Sequence, residues 1–426
     1  MKNRALRARR LSALLLPLLL ASPAAAEKGP GVYKGLDILC DVVTIIQRDY
    51  IEKLSSERLM QDALRGMLNS LDSYSTYMPA ASVRGPRPSP DKGAGTYGLE
   101  VAYKDKLLTV VAPVEGGPAW KAGVKSGDLI IKIDKEPVDD RPLAELIQLF
   151  RGETTRRLEL QVARRGEREF LDFTLLPGKI EGAPARVEML EEKIALMRIS
   201  RFDTETPARA ADLIAKLNRE GGDGMVLDLR DCPAGEIGSA LAIAEHFIPS
   251  GGLLATLSGR TKEAAREFRS GGKAPHVVGP VVVLVNAGTS GAAEVIAGAL
   301  QDGGRGVLMG QRSFGCAFEE GSFTLKDGSV ITMLTAVYRT PDGSEIQDEG
   351  LDPDVEVPLP AVAPGEAGAE EEEIALAEDG VERDLRGVKG VKVEKGVKDE
   401  EGLDPMTQRA VDLIKGIHIL EHKERS

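Results

Sequence analysis

Apolar side chains recur at helical spacing in two stretches near the start of the chain. They are Leu36, Leu39, Cys40, Val43 and Ile46 in the first stretch, and Met60, Ala63, Leu64, Met67, Leu68 and Leu71 in the second. Residues three and four positions apart share one face of a helix, so the pattern predicts two amphipathic helices in an N-terminal helical region at residues 27–81. Cys40 lies on the apolar stripe and is predicted to be a packing residue rather than a reactive thiol.

Residues 82–95, SVRGPRPSPDKGAG, are rich in proline, glycine and charge without periodicity, which predicts a linker. Residues 96–178 then change to short runs typical of strands, namely LLTVVAP, DLIIKID, RLELQVAR and REFLDFTLL, separated by turn residues. One helix is predicted among them, at Leu143–Phe150. The pattern indicates a compact and mostly β domain.

Residues 179–361 alternate between strand and helix patterns. The order is strand MVLDLR, helix GSALAIAEHF, strand VVVLV, helix AAEVIAGALQD and strand GVLMG, followed by a predicted hairpin of SFTL and VITMLTAVY around the turn KDGS. Such alternation predicts an α/β core with a mainly parallel sheet, whose binding loops lie at the carboxyl ends of the strands. The fold class is therefore multidomain, with α/β and β domains.

The C-terminal part, residues 362–426, changes composition again. Residues 365–401 are acidic, with EEEE at 370–373, and then rich in lysine and glycine. We interpret this stretch as a mobile extension, and DPMTQRAVDLIKGIHIL at 404–420 as a terminal helix that ends it.

The first 26 residues read as a secretory signal peptide, with a basic start, an apolar run at 11–20 and the small-residue end ASPAAA. A run of about ten apolar residues is too short to cross a hydrocarbon core of roughly 30 Å, which favours cleavage over an uncleaved membrane anchor. No cysteine follows the cleavage site, so lipid attachment there is excluded. We therefore expect a periplasmic or secreted protein of a bacterial envelope, without a stable membrane span after cleavage.

Net charge narrows the possible partners. The whole chain has 55 basic and 67 acidic side chains, or −12, and the first 26 residues hold five of the basic ones and none of the acidic ones, which leaves 50 − 67 = −17 for the remainder. A protein with this negative net charge repels phosphate backbones and anionic lipids, which argues against a protein that binds nucleic acids or membrane surfaces. The three cysteines, Cys40, Cys232 and Cys316, are odd in number and scattered, which argues against a disulfide scaffold.

Several long motifs carry a family resemblance. YGLE at 97–100 and GGPAWKAGVKSGDLIIKIDKEPV at 116–138 resemble a bacterial PDZ domain. The other motifs, in order, are LDSYSTYM at 71–78, LDLRDCPAG at 227–235, NAGTSGAAEVIAGALQD at 286–302, GQRSFGCAFEE at 310–320 and YRTPDGSEIQDEGLDPDVEV at 338–357. Together they resemble the carboxyl-terminal processing peptidases, or tail-specific proteases, which are secreted serine/lysine endopeptidases. Several long motifs in the family order are far more specific than one short pattern.

The resemblance places all three catalytic positions of the family on substituted residues. The family uses a serine nucleophile, a neutral lysine as its base and a glutamine that orients the lysine, and these positions fall on Gly291, Cys316 and Glu320. The nucleophile position is three residues before Glu294. The chain is therefore predicted to be an inactive pseudopeptidase without cofactor or metal, because neither hydroxyl nor amine remains.

Two other functions stay open from the sequence. One is an active serine-type endopeptidase with non-standard residues, in which Ser290 or the Cys316 thiol would be the nucleophile and His246 or His276 a base, although no motif places either histidine beside Cys316. The other is an inactive subunit that assembles with an active paralogue or another envelope protein.

Ala234 and Gly235 occupy the oxyanion-loop position of the family, while Asp231 and Cys232 replace two asparagines there. Without a hydroxyl at position 291 this loop has no intermediate to stabilise. The neighbouring Arg230 and Asp228 are then interpreted as a structural ion pair at a strand end.

The PDZ loop is the strongest candidate for a binding function. A PDZ domain binds a peptide carboxylate with consecutive backbone N–H groups, and Tyr97, Gly98 and Leu99 fit that role, while Glu100 replaces an apolar residue of the family. The alternative is a domain that only packs on the core as a regulatory lid. Peptide or protein C-termini are the predicted partners.

The segment HILEH at 418–422 fits the pattern H-x-x-E-H of inverted zinc proteases. A catalytic zinc needs a third protein ligand and an enclosing domain, and only four residues follow. We therefore interpret the segment as part of a polar tail helix.

Overall fold

The computed structural model of the chain describes residues 30–81, 83, 95–104, 107–138, 143–150, 154–190, 193–233, 235–272, 277–358 and 403–424. The predicted signal peptide, most of the predicted linker and residues 359–402 lie outside the described residues. The chain divides into two units, residues 1–63 and 64–426. Among the described residues, no helix is long and apolar enough to cross a membrane.

The two predicted N-terminal helices are present as α1 (Pro30–Asp49) and α2 (Ser56–Asn69). None of the described side chains of α1 is buried, and Cys40 is exposed, so its prediction as a packing residue is wrong. The physical reason is that the stripe on which Cys40 lies is only partly covered, since Leu36 is 49% exposed and Leu39, Val43 and Ile46 are only partly buried. Helical spacing shows which residues share a face, but not whether another element covers that face.

The remaining elements follow one another in the second unit. They are β1 (Thr76–Met78), β2 (Leu99–Lys104), β3 (Leu107–Pro113), α3 (Pro118–Ala122), β4 (Leu129–Ile133), β5 (Glu136–Pro137), α4 (Leu143–Phe150), β6 (Leu158–Ala163), β7 (Leu171–Leu175), β8 (Ala185–Met189), β9 (Ile194–Ile199), α5 (Thr206–Arg219), β10 (Gly224–Asp228), α6 (Ile237–Ala244), β11 (Leu253–Gly259), β12 (Arg266–Arg269), β13 (Val281–Val285), α7 (Ala292–Asp302), β14 (Val307–Gly310), β15 (Phe318–Thr324), β16 (Val330–Arg339), β17 (Val355–Glu356) and α8 (Pro405–Glu424).

The β domain has the strand order β2-β3-β4-β6-β7, with β5 beside β4. Its own apolar core is formed by the sheet and α4, which has the predicted bounds. Tyr97 is part of this core, and its hydroxyl donates to the carbonyl of Arg156 at 2.6 Å. Strand β2 is at the edge of the sheet and contacts α4, so one of its sides remains available for a further strand.

The α/β core contains the predicted mainly parallel sheet, with strand order β17-β14-β13-β10-β9-β8. All neighbouring pairs are parallel except β8 and β9. The strands follow one another across this sheet in chain order, and the carboxyl ends of the parallel strands lie at one edge, which is the usual place for a site in such sheets. A second, antiparallel sheet carries the predicted hairpin β15–β16 together with β1, β11 and β12.

Both faces of the parallel sheet are covered, which is why every residue of its central strands β10 and β13 is buried and nearly all of them are apolar. Alternate residues point to opposite faces: Leu227 and Val283 join the core made with α5, α6 and α7, whereas Val226 and Val282 join a second core with α8. The composition of residues 362–426 predicts that this terminal helix belongs to an extension beyond the core. The structure instead makes α8 a layer of the core, because one sheet face would otherwise remain exposed.

We predict that truncating the buried face of α8 destabilises the whole core. Ile414→Ala, at a position with no exposed surface, should lower the free energy of unfolding by about 2–4 kcal/mol in chemical denaturation. Leu420→Ala on the same helix is the control, since Leu420 is 63% exposed, and it should change that free energy by less than about 0.5 kcal/mol. Equal effects of the two variants would show that α8 does not belong to the core.

Candidate functional site

The turn between β13 and α7 contains the predicted nucleophile position. Gly291 is the N-cap of α7 and has φ 58° and ψ −112°, a conformation that L side chains rarely adopt. Asn286 organises the start of the turn, because its Oδ1 accepts hydrogen bonds from the N–H groups of Gly288 at 3.0 Å and Asp231 at 2.9 Å. A strained turn from strand to helix is typical of nucleophile elbows, but here it presents no side chain.

Glu294, in the first turn of α7, is completely buried and joins the two halves of the site. Its Oε2 accepts hydrogen bonds from the N–H groups of Gly291 and Cys316, both at 2.9 Å. Its Oε1 accepts from Ser313 Oγ at 2.5 Å and the Gly315 N–H at 2.6 Å. Burial raises the pKa of Glu294, while these hydrogen bonds oppose the rise. The structure thus brings positions 291 and 316 together on one carboxylate.

Cys316 meets a tyrosine that the sequence analysis did not single out. The hydroxyl of Tyr74 is hydrogen-bonded to Cys316 and to Gln347, and the Tyr74 ring lies 4.5 Å from that of Phe318. Gln347 also accepts a hydrogen bond from the Ala317 N–H at 3.1 Å. Burial raises the pKa of Tyr74 far above its ordinary value of 10, and the nearby thiol adds to the rise. Tyr74 is therefore a neutral phenol at physiological pH.

The remaining candidate catalytic side chains are those of Ser290, His246, His276 and Glu320. Ser290 is buried, and its Oγ has no hydrogen-bond partner among the described atoms. His246 is buried just after α6, and His276 lies outside the described residues. Glu320 is exposed on β15, opposite Leu334 of β16.

The loop after β10 corresponds to the predicted oxyanion loop. Gly235 is packed so closely that a Cβ there would lie 2.6 Å from the carbonyl oxygen of Phe202, and Ala234 lies outside the described residues. Cys232 is buried, which raises the pKa of its thiol to about 12, and its carbonyl accepts the Ser290 N–H at 3.1 Å. The thiol of Cys232 is therefore protonated at neutral pH and is a packing group.

Asp228, at the end of β10, forms the predicted ion pair with Arg230 through two side-chain hydrogen bonds of 2.8 and 2.9 Å. Arg198 adds a third side-chain bond to Asp228 at 3.2 Å. Burial alone would raise the pKa of Asp228, but the hydrogen bonds and charges of the two arginines lower it below its ordinary value. The pair holds the end of β10 beside the start of the loop.

The β domain lies directly on the site. Ala102 and Val111 of its sheet pack against Phe314, in a cluster that Tyr74 and Cys316 also contact. Lys104 donates from Nζ to the Phe314 carbonyl at 3.1 Å, and its ammonium lies 4.8 Å from the centre of the Phe314 ring. The core loop that carries Cys316 is thus covered by one face of this domain.

Two further polar contacts attach the β domain to the core. Ser126 Oγ donates to Asp231 Oδ1 at 2.7 Å. Glu115 accepts from Arg186 at 2.6 Å and from Arg198 at 3.2 Å. Gly288 lies at the first contact, where a Cβ would come within 2.5 Å of both Ser126 Oγ and Asp231 Oδ1. A larger residue at 288 would therefore push the two domains apart.

The predicted carboxylate-binding loop is closed in this structure. Tyr97, Gly98 and Leu99 are all buried, Glu100 is partly buried, and the Gly98 N–H donates to Thr96 Oγ1 at 3.1 Å. A Cβ on Gly98 would lie 3.2 Å from Gly117 Cα, 3.5 Å from Pro118 Cδ and 3.7 Å from Ile180 Cγ1. A peptide carboxylate reaches these amides only if this cover moves.

A polar cleft of about 330 Å³ lies at the carboxyl ends of β10 and β13. It is lined by Arg198, Asp228, Arg230, Asp231, Asn286, Gln311 and Met406. Most of its charged groups are already paired with one another, so it offers no strongly cationic or anionic pocket. Within the described part of the chain, no group of three or more histidine, cysteine or acidic side chains is arranged to bind a metal ion. His418 of the HILEH segment contacts the carbonyl of Asp223 at 2.9 Å, and the His422 side chain lies outside the described residues.

Most of the residues around Gly291 and Cys316 carry no functional prediction from the sequence. Glu294 served only to count back to position 291, although an acidic residue three positions after a helix start is a recognisable capping signal. The residues without any local signal are Tyr74, Lys104, Glu115, Ser126 and Gln347, because each reaches the site from a distant part of the chain.

Comparison with family models gives three matches. Residues 193–357 match peptidase family S41, and residues 109–164 match a PDZ domain. Residues 22–82 match the N-terminal domain of the activating protease CtpB. The N-terminal helical region, the PDZ domain and the peptidase core are thus each represented.

Relatives and a solved structure resemble the chain over most of its length. A carboxy-terminal-processing protease of Bartonella bacilliformis is 32% identical over 358 residues, which are 82% of this chain and 81% of the relative. The carboxy-terminal processing protease CtpA of Bacillus subtilis is 31% identical over 75% of this chain and 68% of its own length. The structure of a photosystem II D1 C-terminal processing protease has a TM-score of 0.64 and 26% identity, covering 75% of this chain and 92% of that chain.

We predict that the Glu294 carboxylate is the main local determinant of stability at this site. Glu294→Gln should lower the free energy of unfolding by about 2–4 kcal/mol, because the amide places an N–H₂ group against buried donors. Chemical denaturation measures this change. Glu320→Gln makes the same substitution at an exposed position and should change the free energy by less than about 0.5 kcal/mol. If Glu294→Gln were equally harmless, the carboxylate would not hold the site together.

Proposed function

The chain belongs to the carboxyl-terminal processing peptidases of family S41, and we propose that it is a member without peptidase chemistry that binds peptide or protein C-termini through its PDZ domain. Relatives in this family are named as proteases. The proposal therefore concerns a loss of catalysis in this chain and the retention of binding.

One observation carries the proposal: Gly291 and Cys316 donate to the same oxygen of Glu294. This supports their assignment to the nucleophile and lysine positions, since these two positions must lie side by side in an active enzyme. Gly291 offers no hydroxyl, and Cys316 offers no amine. Removing the nucleophile of a serine protease lowers turnover by a factor on the order of 10⁶.

The groups near the site do not replace the missing ones. Lys104 supplies an amine, but it is engaged with the carbonyl and ring of Phe314. Tyr74 has a raised pKa and remains protonated, so it does not serve as a base that activates Cys316 at neutral pH. Neither contact provides the pairing of nucleophile and base that acyl transfer requires.

A binding function is supported by the PDZ domain. Its strand β2 has a free side next to α4, which suits the addition of a peptide as a further strand. The amides of Tyr97, Gly98 and Leu99 then bind the terminal carboxylate once the cover at Pro118 and Ile180 moves and the carboxylate replaces Thr96 Oγ1 as the acceptor of Gly98. The proposed location is the bacterial periplasm or exterior, after removal of residues 1–26.

We predict that the purified mature protein neither hydrolyses unstructured polypeptides nor reacts with serine-directed fluorophosphonate probes. Gly291 has no atom to acylate, and Ser290 is buried. Mass spectrometry after labelling and a casein cleavage assay make the measurement, with Cys316→Ala as a second sample. Cleavage that disappears in Cys316→Ala would identify the thiol as a nucleophile, and labelling of Ser290 would overturn the assignment of position 291.

We predict that Gly291→Ser, Cys316→Lys and Glu320→Gln introduced together restore measurable peptidase activity, whereas Gly291→Ser alone does not. The hydroxyl needs the neutral amine, and the amine needs the amide that orients it, so the three act as a unit. The matched control carries Ala at position 291 with the other two changes. If the folded triple variant is no faster than this control, catalysis was lost at further positions as well.

We predict that peptides with an apolar last residue bind the full chain about tenfold more weakly when the terminal carboxylate is amidated. The amide removes the charge that the backbone donors of the loop would bind. Titration calorimetry with acid and amide forms of one peptide makes the comparison. Equal affinities would remove carboxylate recognition and leave the PDZ domain as a cover of the core.

A further inference from the structure

The two residues that begin the oxyanion-equivalent loop connect parts of the chain that are far apart in sequence. Arg230 contacts the terminal helix α8, and Asp231 contacts the PDZ domain through Ser126. Asp231 also accepts a hydrogen bond from Asn286 Nδ2 at 3.0 Å, next to the turn that leads to Gly291. The loop is thus held from three directions.

The contact with α8 is an anchor at the start of that helix. Arg230 donates to both oxygens of Asp404, at 2.8 and 3.1 Å, and to Thr407 Oγ1 at 3.2 Å. Asp404 in turn accepts from Thr407 Oγ1 at 2.6 Å and from the N–H groups of Met406 and Thr407. The carboxylate that starts the helix is therefore the one that Arg230 binds.

Asp231 and Arg198 are the core residues that bind Ser126 and Glu115 of the PDZ domain, and Arg230 helps to position both of them. Asp231 is its direct neighbour and has a φ of 45°, which is unusual for a residue other than glycine. Arg198, which binds Glu115 of the PDZ domain, also donates to the Arg230 carbonyl and to Asp228. Asp228 receives two side-chain hydrogen bonds from Arg230 itself.

These contacts determine whether docking of α8 favours or opposes docking of the PDZ domain. When α8 is docked, the Arg230 side chain is fixed between Asp228 and Asp404, and the backbone of Arg230 and Asp231 is fixed with it. Asp404 and Glu115 are like charges, but each is bound to its own guanidinium, so their repulsion is small beside this positional effect. Docking of α8 should therefore favour docking of the PDZ domain.

We propose that α8 is an intramolecular regulatory element that stabilises the docked position of the PDZ domain over the core, acting through Arg230 and Asp231. The coupling is reciprocal, since a linkage between two binding equilibria has the same magnitude in both directions. A ligand that separates the PDZ face from the core also loosens α8. The inference goes beyond the proposed binding function and does not depend on it.

Hydrogen exchange of the full chain tests the proposal. Asp404→Asn keeps a good helix-capping residue but removes the charge that Arg230 binds. The measured quantity is the exchange rate around Glu115 and Ser126 relative to that of the buried strand β10, and it should rise about fivefold or more. Asp412→Asn, on the exposed side of α8, is the charge-matched control and should leave that ratio unchanged.

A second variant tests the coupling in the opposite direction, from the PDZ domain to α8. Ser126→Ala removes the PDZ contact to Asp231 and should raise the exchange rate in the first turns of α8 relative to β10 by a comparable factor. Accelerated exchange confined to the element that carries the substitution would overturn the proposal. No change of either ratio, or a uniform change that includes β10, would overturn it as well.

Discussion

The buried carboxylate of Glu294 is the interaction on which the organisation of this site depends. It lies in the first turn of α7 and accepts four hydrogen bonds from the two segments that approach each other there. An ionised carboxylate is expensive to bury unless donors surround it. Those donors are the amides of Gly291, Gly315 and Cys316 and the hydroxyl of Ser313, so the same groups that lower this cost also define the geometry of the site.

Under the proposed loss of catalysis, this arrangement explains how the peptidase scaffold persists. The hydrogen bonds to Glu294 come from backbone amides and Ser313, none of which belongs to the three substituted positions as side chains. The hydrogen bonds around Glu294 therefore do not depend on which side chain is present at position 291 or position 316. The backbone at position 291 has a positive φ, which glycine adopts at little energetic cost. A residue with a Cβ would be strained in the same conformation.

The parallel sheet imposes the second constraint, because both of its faces must be covered. Helices α5 to α7 cover one face, and α8 covers the other. Since α8 begins at the carboxyl edge of the sheet, its first turn meets Arg230 beside the loop that the PDZ domain also contacts. A requirement of packing thereby places the first turn of α8 next to the candidate site.

The sequence by itself predicted many of the helices and strands, the order of the domains and, through the family resemblance, the assignment of the catalytic positions to Gly291, Cys316 and Glu320. Periodicity, turn residues and long motifs are local properties that a chain displays before it folds. Only the tertiary structure decided that Tyr74 meets Cys316, that Lys104 reaches Phe314 and that α8 is a layer of the core. It also decided that Cys40 is exposed although its spacing is that of a packing residue. The physical reason is that such contacts join residues far apart along the chain, and their formation depends on how whole elements pack, which no local pattern encodes.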